Sequence, residues 1–269
     1  MRKQLLLRKS AIYVIVMSLI SITFIMPRSF AAVSPIHTSF CTAGNYVLLG
    51  SVITNGAGTR ITSSYPGAIV GGTSPAELLA LVGSEAGVTN ELDATAHINA
   101  MSSLGRVLDT VTALATSDGR LTAIDLSADH SGTFPLGTYG PGVYKTFAAM
   151  NIAASTVITL DAGGDANANF YFIAGNAMTV GAGVRINLAN GAQASNVYWV
   201  AGTFTGDLTL GASTILYGNF LVRGAATLGG TSQIFGRLMA TGAVTIGAGA
   251  HIYGIPADIS CTTPTTSPS

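Results

Sequence analysis

Short apolar runs of three to five residues, separated by glycine, recur through the second half of the chain. Residues 219–236 and 237–254 are close copies of eighteen residues each, and each holds three β-like runs. Residues 196–218 and 169–195 repeat the plan with longer corners, and 142–168 is a looser version. A repeat of about twenty residues with three strands predicts an all-β dominated fold, a β-solenoid of triangular cross-section in which each coil buries its apolar side against its neighbours.

Neighbouring side chains of a strand point to opposite sides, so alternation separates the three faces. Face one holds Phe170-Tyr-Phe-Ile173, Val197-Tyr-Trp-Val200, Phe220-Leu-Val222 and Leu238-Met-Ala240. Both of its alternating columns are apolar, so its outer side also needs a cover. The cover predicted is one long helix over about 90–115. Leu92, Ala96, Ala100, Met101, Leu104, Val107, Leu108, Val111 and Leu114 form one stripe at three-to-four spacing there, and Thr89 or Asn90 is available as the cap. Face three shows an inward ladder read as Ile158, Ile186, Ile215, Ile234 and Ile252. Its outward set mixes Arg185, Asn187, Gln233 and His251 with Leu216, Phe235 and Tyr253.

Face two is different. At one outward position per coil stand Asn151, Thr179, Thr209, Thr227 and Thr245. Beside them lie Ala149, Ala177, Asp207, Ala225 and Ala243 on one side, and Ala153, Gly181, Gly211, Gly229 and Gly247 on the other. Thr205 and Thr241 add a second threonine at the corner. Threonine favours strands and stacked hydroxyls stabilise solenoids without any further role, so the ladder alone leaves two readings level. The lack of long polar side chains on a sheet for which the sequence offers no cover favours a contact surface. Coils stack about 4.7–4.8 Å apart, which makes the face a rigid, periodic array of methyls and hydroxyls suited to a periodic solid.

Composition sharpens this picture. The chain has 269 residues, only 9% of them charged, and a formal net charge of zero. Five of the twelve basic residues lie in the first 28 positions, so the remainder holds seven basic against twelve acidic residues and a nucleic-acid footprint is excluded. Arg2, Lys3, Arg8 and Lys9 precede an apolar run over 11–26, and Ser29-x-Ala31 offers a small-residue cleavage site. We read 1–31 as an export signal, with cleavage after Ala31 or Ala32 and a retained anchor as the alternative. No later segment is apolar for long enough to cross a bilayer, so the expectation is a secreted monomer with no membrane partner after cleavage. In an oxidising compartment Cys41 and Cys261 are expected to form one disulfide joining the two ends of the mature chain, two free thiols being the alternative.

Tyr139-Gly-Pro-Gly-Val-Tyr144, the loop running from Leu160-Asp-Ala-Gly-Gly-Asp165 to Ile173, Asn190-Gly-Ala-Gln-Ala-Ser-Asn-Val-Tyr-Trp199 and the closing Thr241-Gly-Ala-Val-Thr-Ile-Gly247 resemble the DUF3494 family of microbial ice-binding proteins. The likeness covers 45–256. It implies a right-handed β-solenoid with a long helix along one face, and an ice crystal surface as the partner. Asn151, Thr179, Thr209, Thr227, Thr245, Thr205, Thr241, Ala177, Ala225 and Ala243 are then the candidate ice-contacting residues. It also implies that the N-terminal coil stacks on the C-terminal one, which would bring Cys41 beside Cys261. Residues 50–54 resemble 242–245 with a shift of one residue that leaves Thr54 undecided. The solenoid domain is expected over 32–261, with a capping insertion at about 70–89 and a Thr/Pro/Ser-rich disordered tail at 262–269.

Enzymatic readings are weak, and no cofactor or metal is expected. Asp161, Asp165, Asn167 and Asn169 are spaced faintly like a calcium loop without its bidentate glutamate. Asp129-His130-Ser131 are adjacent in sequence, which triad partners rarely are. A left-handed hexapeptide helix fits residues 246–254 locally, but unequal coil lengths and the long amphipathic helix argue against it. The functional alternative is a cell-surface adhesion or structural β-solenoid module without ice activity.

Overall fold

The structure, a computed structural model, describes residues 41–64, 68–72, 88–91, 93–114, 124–125 and 137–256. It is mostly β with one long helix, and all strand pairs that build the two sheets are parallel. The strands form three stacks. The first runs in space Val88–Glu91, Ala68–Gly71, Tyr46–Leu49, the second half of Gln233–Ala240, the second half of Ile215–Val222, Val197–Ala201, Phe170–Ala174, Gly142–Thr146, Ile124–Asp125. The second is Ile53–Asn55, Val244–Ile246, Ala226–Leu228, Leu208–Leu210, Met178–Val180, Met150–Ile152. The third holds Arg60–Ser63, His251–Gly254, the first halves of the two eight-residue strands, Arg185–Ala189, Val157–Asp161 and Gly137–Tyr139.

Each pass of chain visits the stacks in the same order and returns one strand further along. The corner between the third and first stacks is tight, and glycine makes it possible. A Cβ on Gly236 would lie 1.8 Å from the Gly218 carbonyl oxygen of the pass beneath. Spatial order is not chain order at the far end. Leu48 pairs with Leu238, Thr54 with Thr245 and Arg60 with His251, so the first described segment continues the stack beyond the last repeat.

Alternation in the first stack sends side chains into two apolar clusters. Phe170, Phe172 and Ala174 point to the inner core, Tyr171 and Ile173 to the outer one. In-register packing turns the inner aromatics into a pile. Tyr144, Phe172, Trp199 and Phe220 stack with centroids 5.1, 4.2 and 6.0 Å apart, and the indole Nε1 of Trp199 donates to the Tyr217 carbonyl at 3.0 Å. The outer cluster is closed by helix α1 (Ala94–Ala113), whose Ala100, Leu104, Val107, Leu108 and Val111 are buried against Tyr171, Tyr198, Leu221 and Met239. The Arg223 guanidinium meets Asp109 at 2.5 Å and ties the last turns of the helix to the first stack.

Three expectations are corrected. The helix starts at Ala94 and is capped by Asp93, whose Oδ1 accepts from the Thr95 and Ala96 amides at 2.8 and 3.4 Å. Thr89 and Asn90 cannot cap it, because both lie in the strand Val88–Glu91 paired to Ala68–Gly71. In the third stack Ile215 pairs with Gln233 and Arg185, so the inward residue is Leu216, buried beside Ile234, and Ile215 faces out. A slip of one residue exchanges the faces of a strand, and in Thr214-Ile-Leu-Tyr217 two apolar neighbours satisfy either register. The segments expected as export signal, most of the capping insertion and the tail, together with Cys261 and residues 129–131, lie outside the described residues.

Two measurements test this packing. Asp93→Ala removes an N-cap and should lower stability by about 1 kcal/mol. Leu104→Ala opens the outer cluster and should cost about 2–5 kcal/mol. Both are read as shifts of the midpoint in urea unfolding followed by circular dichroism.

Candidate functional site

The second stack owes its outward surface to the three-residue strands that build it. Met150, Ile152, Met178, Val180, Leu208, Leu210, Ala226, Leu228, Val244 and Ile246 are buried, and the residue between each pair is exposed. Those middle residues are Asn151, Thr179, Thr209, Thr227 and Thr245, each paired directly with the next. Thr54 joins them. Ile53 pairs with Val244 and Thr54 with Thr245, and the extra residue of this segment is taken up at Ser51 and Val52, before the strand begins. The array is therefore six rungs long, one more than the repeats alone predicted.

The flanking columns have different causes. Ala177 is half-buried, while Ala225 and Ala243 are exposed. Asp207 occupies the same column, with its Oδ1 accepting from the Ala225 amide at 2.8 Å, so the carboxylate caps the neighbouring strand. On the other side the glycines are a packing requirement. A Cβ on Gly181, Gly211, Gly229 or Gly247 would fall within 2.4–2.5 Å of the backbone nitrogen of the adjacent pass. Nothing larger than glycine fits there, and the smoothness of that edge follows from the tight corner.

The remaining candidates separate. Thr205 is exposed in a bend and lies outside the ladder strands. Thr241 is half-buried, and its hydroxyl donates to the Arg223 carbonyl at 2.6 Å, which closes a corner. The Asp161–Asn169 turn is held by its own bonds. The Asp161 carboxylate accepts from the Gly163 amide at 2.8 Å and from the Asn190 side-chain amide at 2.9 Å, and these hold its carboxyl below the usual range. Asp165 accepts from the Asn167 amide at 2.9 Å in the same manner. Among the described residues there is no group of three or more His, Cys, Asp or Glu able to hold a metal ion, and no helix long and apolar enough to cross a membrane.

Sequence reasoning missed two features. One is Tyr217, which the one-residue slip at Ile215 had turned inward and which completes the outward rings of the third stack, 4.9 Å from Phe235, itself 4.5 Å from Tyr253. Its signal was visible in the repeats, as an aromatic two residues after the start of the third run. The other is a cleft of about 460 Å³ where the end of α1 meets the first stack. Its residues come from four separate passes and helix α1, and no sequence spacing links them.

The ice-binding-like family matches residues 38–251 of this chain. An ice-binding protein of Flavobacterium frigoris (strain PS1) is 30% identical over 188 residues, a match that covers 66% of this chain and 63% of that protein's length. Among solved structures, the DUF3494 domain of Shewanella frigidimarina ice-binding protein 1 superposes with a TM-score of 0.67 at 22% identity, over 82% of this chain and 98% of that one. The ice-binding protein of the Antarctic ascomycete Antarctomyces psychrotrophicus superposes with a TM-score of 0.63 at 24% identity, over 79% of this chain and 95% of that one. Those two likenesses are of fold. Together with the family match over most of its length, they lead to one conclusion: the chain belongs to the ice-binding-like family.

Proposed function

We propose that this chain is a secreted, non-catalytic, monomeric ice-binding protein, which adsorbs to ice through the outward side of the second stack and thereby depresses freezing and inhibits recrystallisation. The observation that carries the proposal is the in-register ladder of Thr54, Thr245, Thr227, Thr209, Thr179 and Asn151, exposed on a sheet whose flanking columns are cut back to Ala and Gly apart from Asp207 and Val52. Family membership and the names of the relatives support the same reading.

The mechanism follows from the chemistry of that surface. Methyls force adjacent water into cages, hydroxyls pin those cages at fixed points, and the ordered layer merges with the lattice. Threonine is stiff at its first torsion, so little ordering remains to be done when the surface meets ice. Adsorbed molecules make the ice front bulge between them, which lowers the local freezing point. Asn151, Thr205, Ala177, Ala225 and Ala243 are proposed contacts at the margin, and Thr241 contributes only through its methyl.

The wider frame belongs to the same proposal. Three stacks visited in constant order support a right-handed solenoid of triangular section, since parallel crossovers are right-handed in almost every known case. Residues 1–31 act as an export signal, and Cys41 pairs with Cys261. The start of the described chain at Cys41–Asn45 leads into Tyr46–Leu49, which pairs beside Leu238 of the last repeat, and this supports the bridge.

Three outcomes are expected. The triple variant T179Y/T209Y/T227Y should lose ice shaping and recrystallisation inhibition. Its Tm should stay within about 5 °C of the parent, because exposed substitutions typically change stability by no more than about 0.5 kcal/mol each. Retained activity in that variant would remove the second stack from the mechanism, and failure of the parent to be captured on ice would remove the function. The ladder holds no ionisable side chain, so activity should be flat from about pH 5 to about pH 9. Finally, C41S should unfold about 2–5 kcal/mol more easily, as loss of a native disulfide does.

A further inference from the structure

One side chain on the outward side of the second stack departs from the pattern of all the others. The column on one side of the ladder holds Ala149, Ala177, Asp207, Ala225, Ala243 and Val52, and the column on the other side holds Ala153 and glycines. Asp207 is the single ionisable group in either column, and it is exposed. It ends a corner, residues 202–207, that is longer than the corners at 147–149, 175–177, 223–225 and 241–243.

The Asp207 carboxylate is held in place but not neutralised. Its Oδ1 accepts from the Ala225 amide at 2.8 Å, and a Cβ on Gly224 would collide with that oxygen, so the side chain lies along the next pass of chain. Among the described residues it bonds to no cation. Arg223, in the same corner as Ala225, is paired with Asp109 instead. One amide occupies one oxygen, and the other acceptor positions of the carboxylate are left to water.

Water beside a carboxylate is ordered in the wrong way for ice. In ice every molecule both donates and accepts, whereas an ionised carboxylate only accepts, so each water bound to it must turn a hydrogen towards it. Those waters are also held tightly, because hydrogen bonds to charged groups are about twice as strong as neutral ones. A threonine hydroxyl both donates and accepts and imposes no such polarity. Asp207 stands between Ala177 and Ala225 in the stack, both proposed contacts at the margin, so its charge lies in the strip that has to meet the lattice. We infer that Asp207 is the affinity-limiting residue of this face: its carboxylate anchors the next pass of chain and, by keeping a charge close to Thr209, weakens the hold on ice. The inference rests on the ice reading of the second stack.

Two variants of opposite sign test it, each compared with the parent by the protein concentration that halts ice recrystallisation and by the midpoint of urea unfolding. D207N keeps the Oδ1 acceptor for Ala225 and removes the charge. It should act at about half the parent's concentration or less, because withdrawing water from a charge costs far more than withdrawing it from an amide. Its urea midpoint should be no higher than the parent's, so the gain cannot come from added stability. A243D puts a second carboxylate further along the same exposed column, and should need about twice the parent's concentration or more. If Asp207 served stability alone, D207N would be no more active than the parent and A243D would match it. Either result overturns the inference. A parent that fails to bind ice, or a T179Y/T209Y/T227Y variant that keeps full activity, removes the ice reading of this face and the inference with it. Loss of activity in the triple variant without a gain in D207N removes the inference alone.

Discussion

Register between parallel strands is the constraint from which the rest of this molecule follows. Once each pass of chain lies directly on the one before it, every side chain sits beside its own equivalent about 4.8 Å away. A position then has to suit a neighbour identical in kind, and the chain is sorted into columns. Inward columns become the aromatic pile of Tyr144, Phe172, Trp199 and Phe220. The column at the corner after the second stack becomes glycine, because the backbones approach too closely for a Cβ. Outward columns inherit the same regularity whether or not anything uses it, and regularity alone is therefore weak evidence of function.

What distinguishes the second stack is how its outer side is left. The outer side of the first stack is covered by α1, and the third carries Arg185, Asn187, Gln233 and His251 among its rings. Threonines placed at corners have their hydroxyls taken by backbone carbonyls, as at Thr146, Thr203 and Thr241. The ladder threonines instead stand exposed between buried neighbours in every strand, with side chains too short to fold over one another. A surface of this kind is poor at holding a flexible polar partner, which needs long charged side chains for grip. It is well suited to a partner that is itself flat, repetitive and made of small hydrogen-bonding units.

Much of this was legible in the residues, because columns are easy to see when a repeat is short. The two eighteen-residue copies exposed the ladder, the two-sided apolar pattern of Phe170–Ala174 demanded a cover, and the stripe around Leu104 supplied it. The helix start was read wrongly because capping residues are common and Val88–Glu91 had no repeat partner to mark it as a strand. Ile215 was misplaced because Ile and Leu stand side by side, and hydrophobicity cannot choose between them. Thr54 stayed undecided because one extra residue at Val52 has no counterpart in the other passes. The cleft beside Phe204 could not be read at all, since contacts between a helix and four separate corners leave no spacing along the chain.

The contrast between the glycine and threonine columns separates fold from function within one sheet. At Gly181 and Gly211 the backbone of the next pass excludes every side chain, so selection for stability alone would keep glycine there. At Thr179 and Thr209 the side chain points into solvent, where serine, lysine or glutamate would be tolerated at a cost of about 0.5 kcal/mol or less. Stability therefore dictates the first column and only favours threonine in the second, through strand propensity and cross-strand pairing. Five threonines and one asparagine in a column where other side chains would fold are what the proposed rigid, planar partner would use, because the threonines are of uniform height.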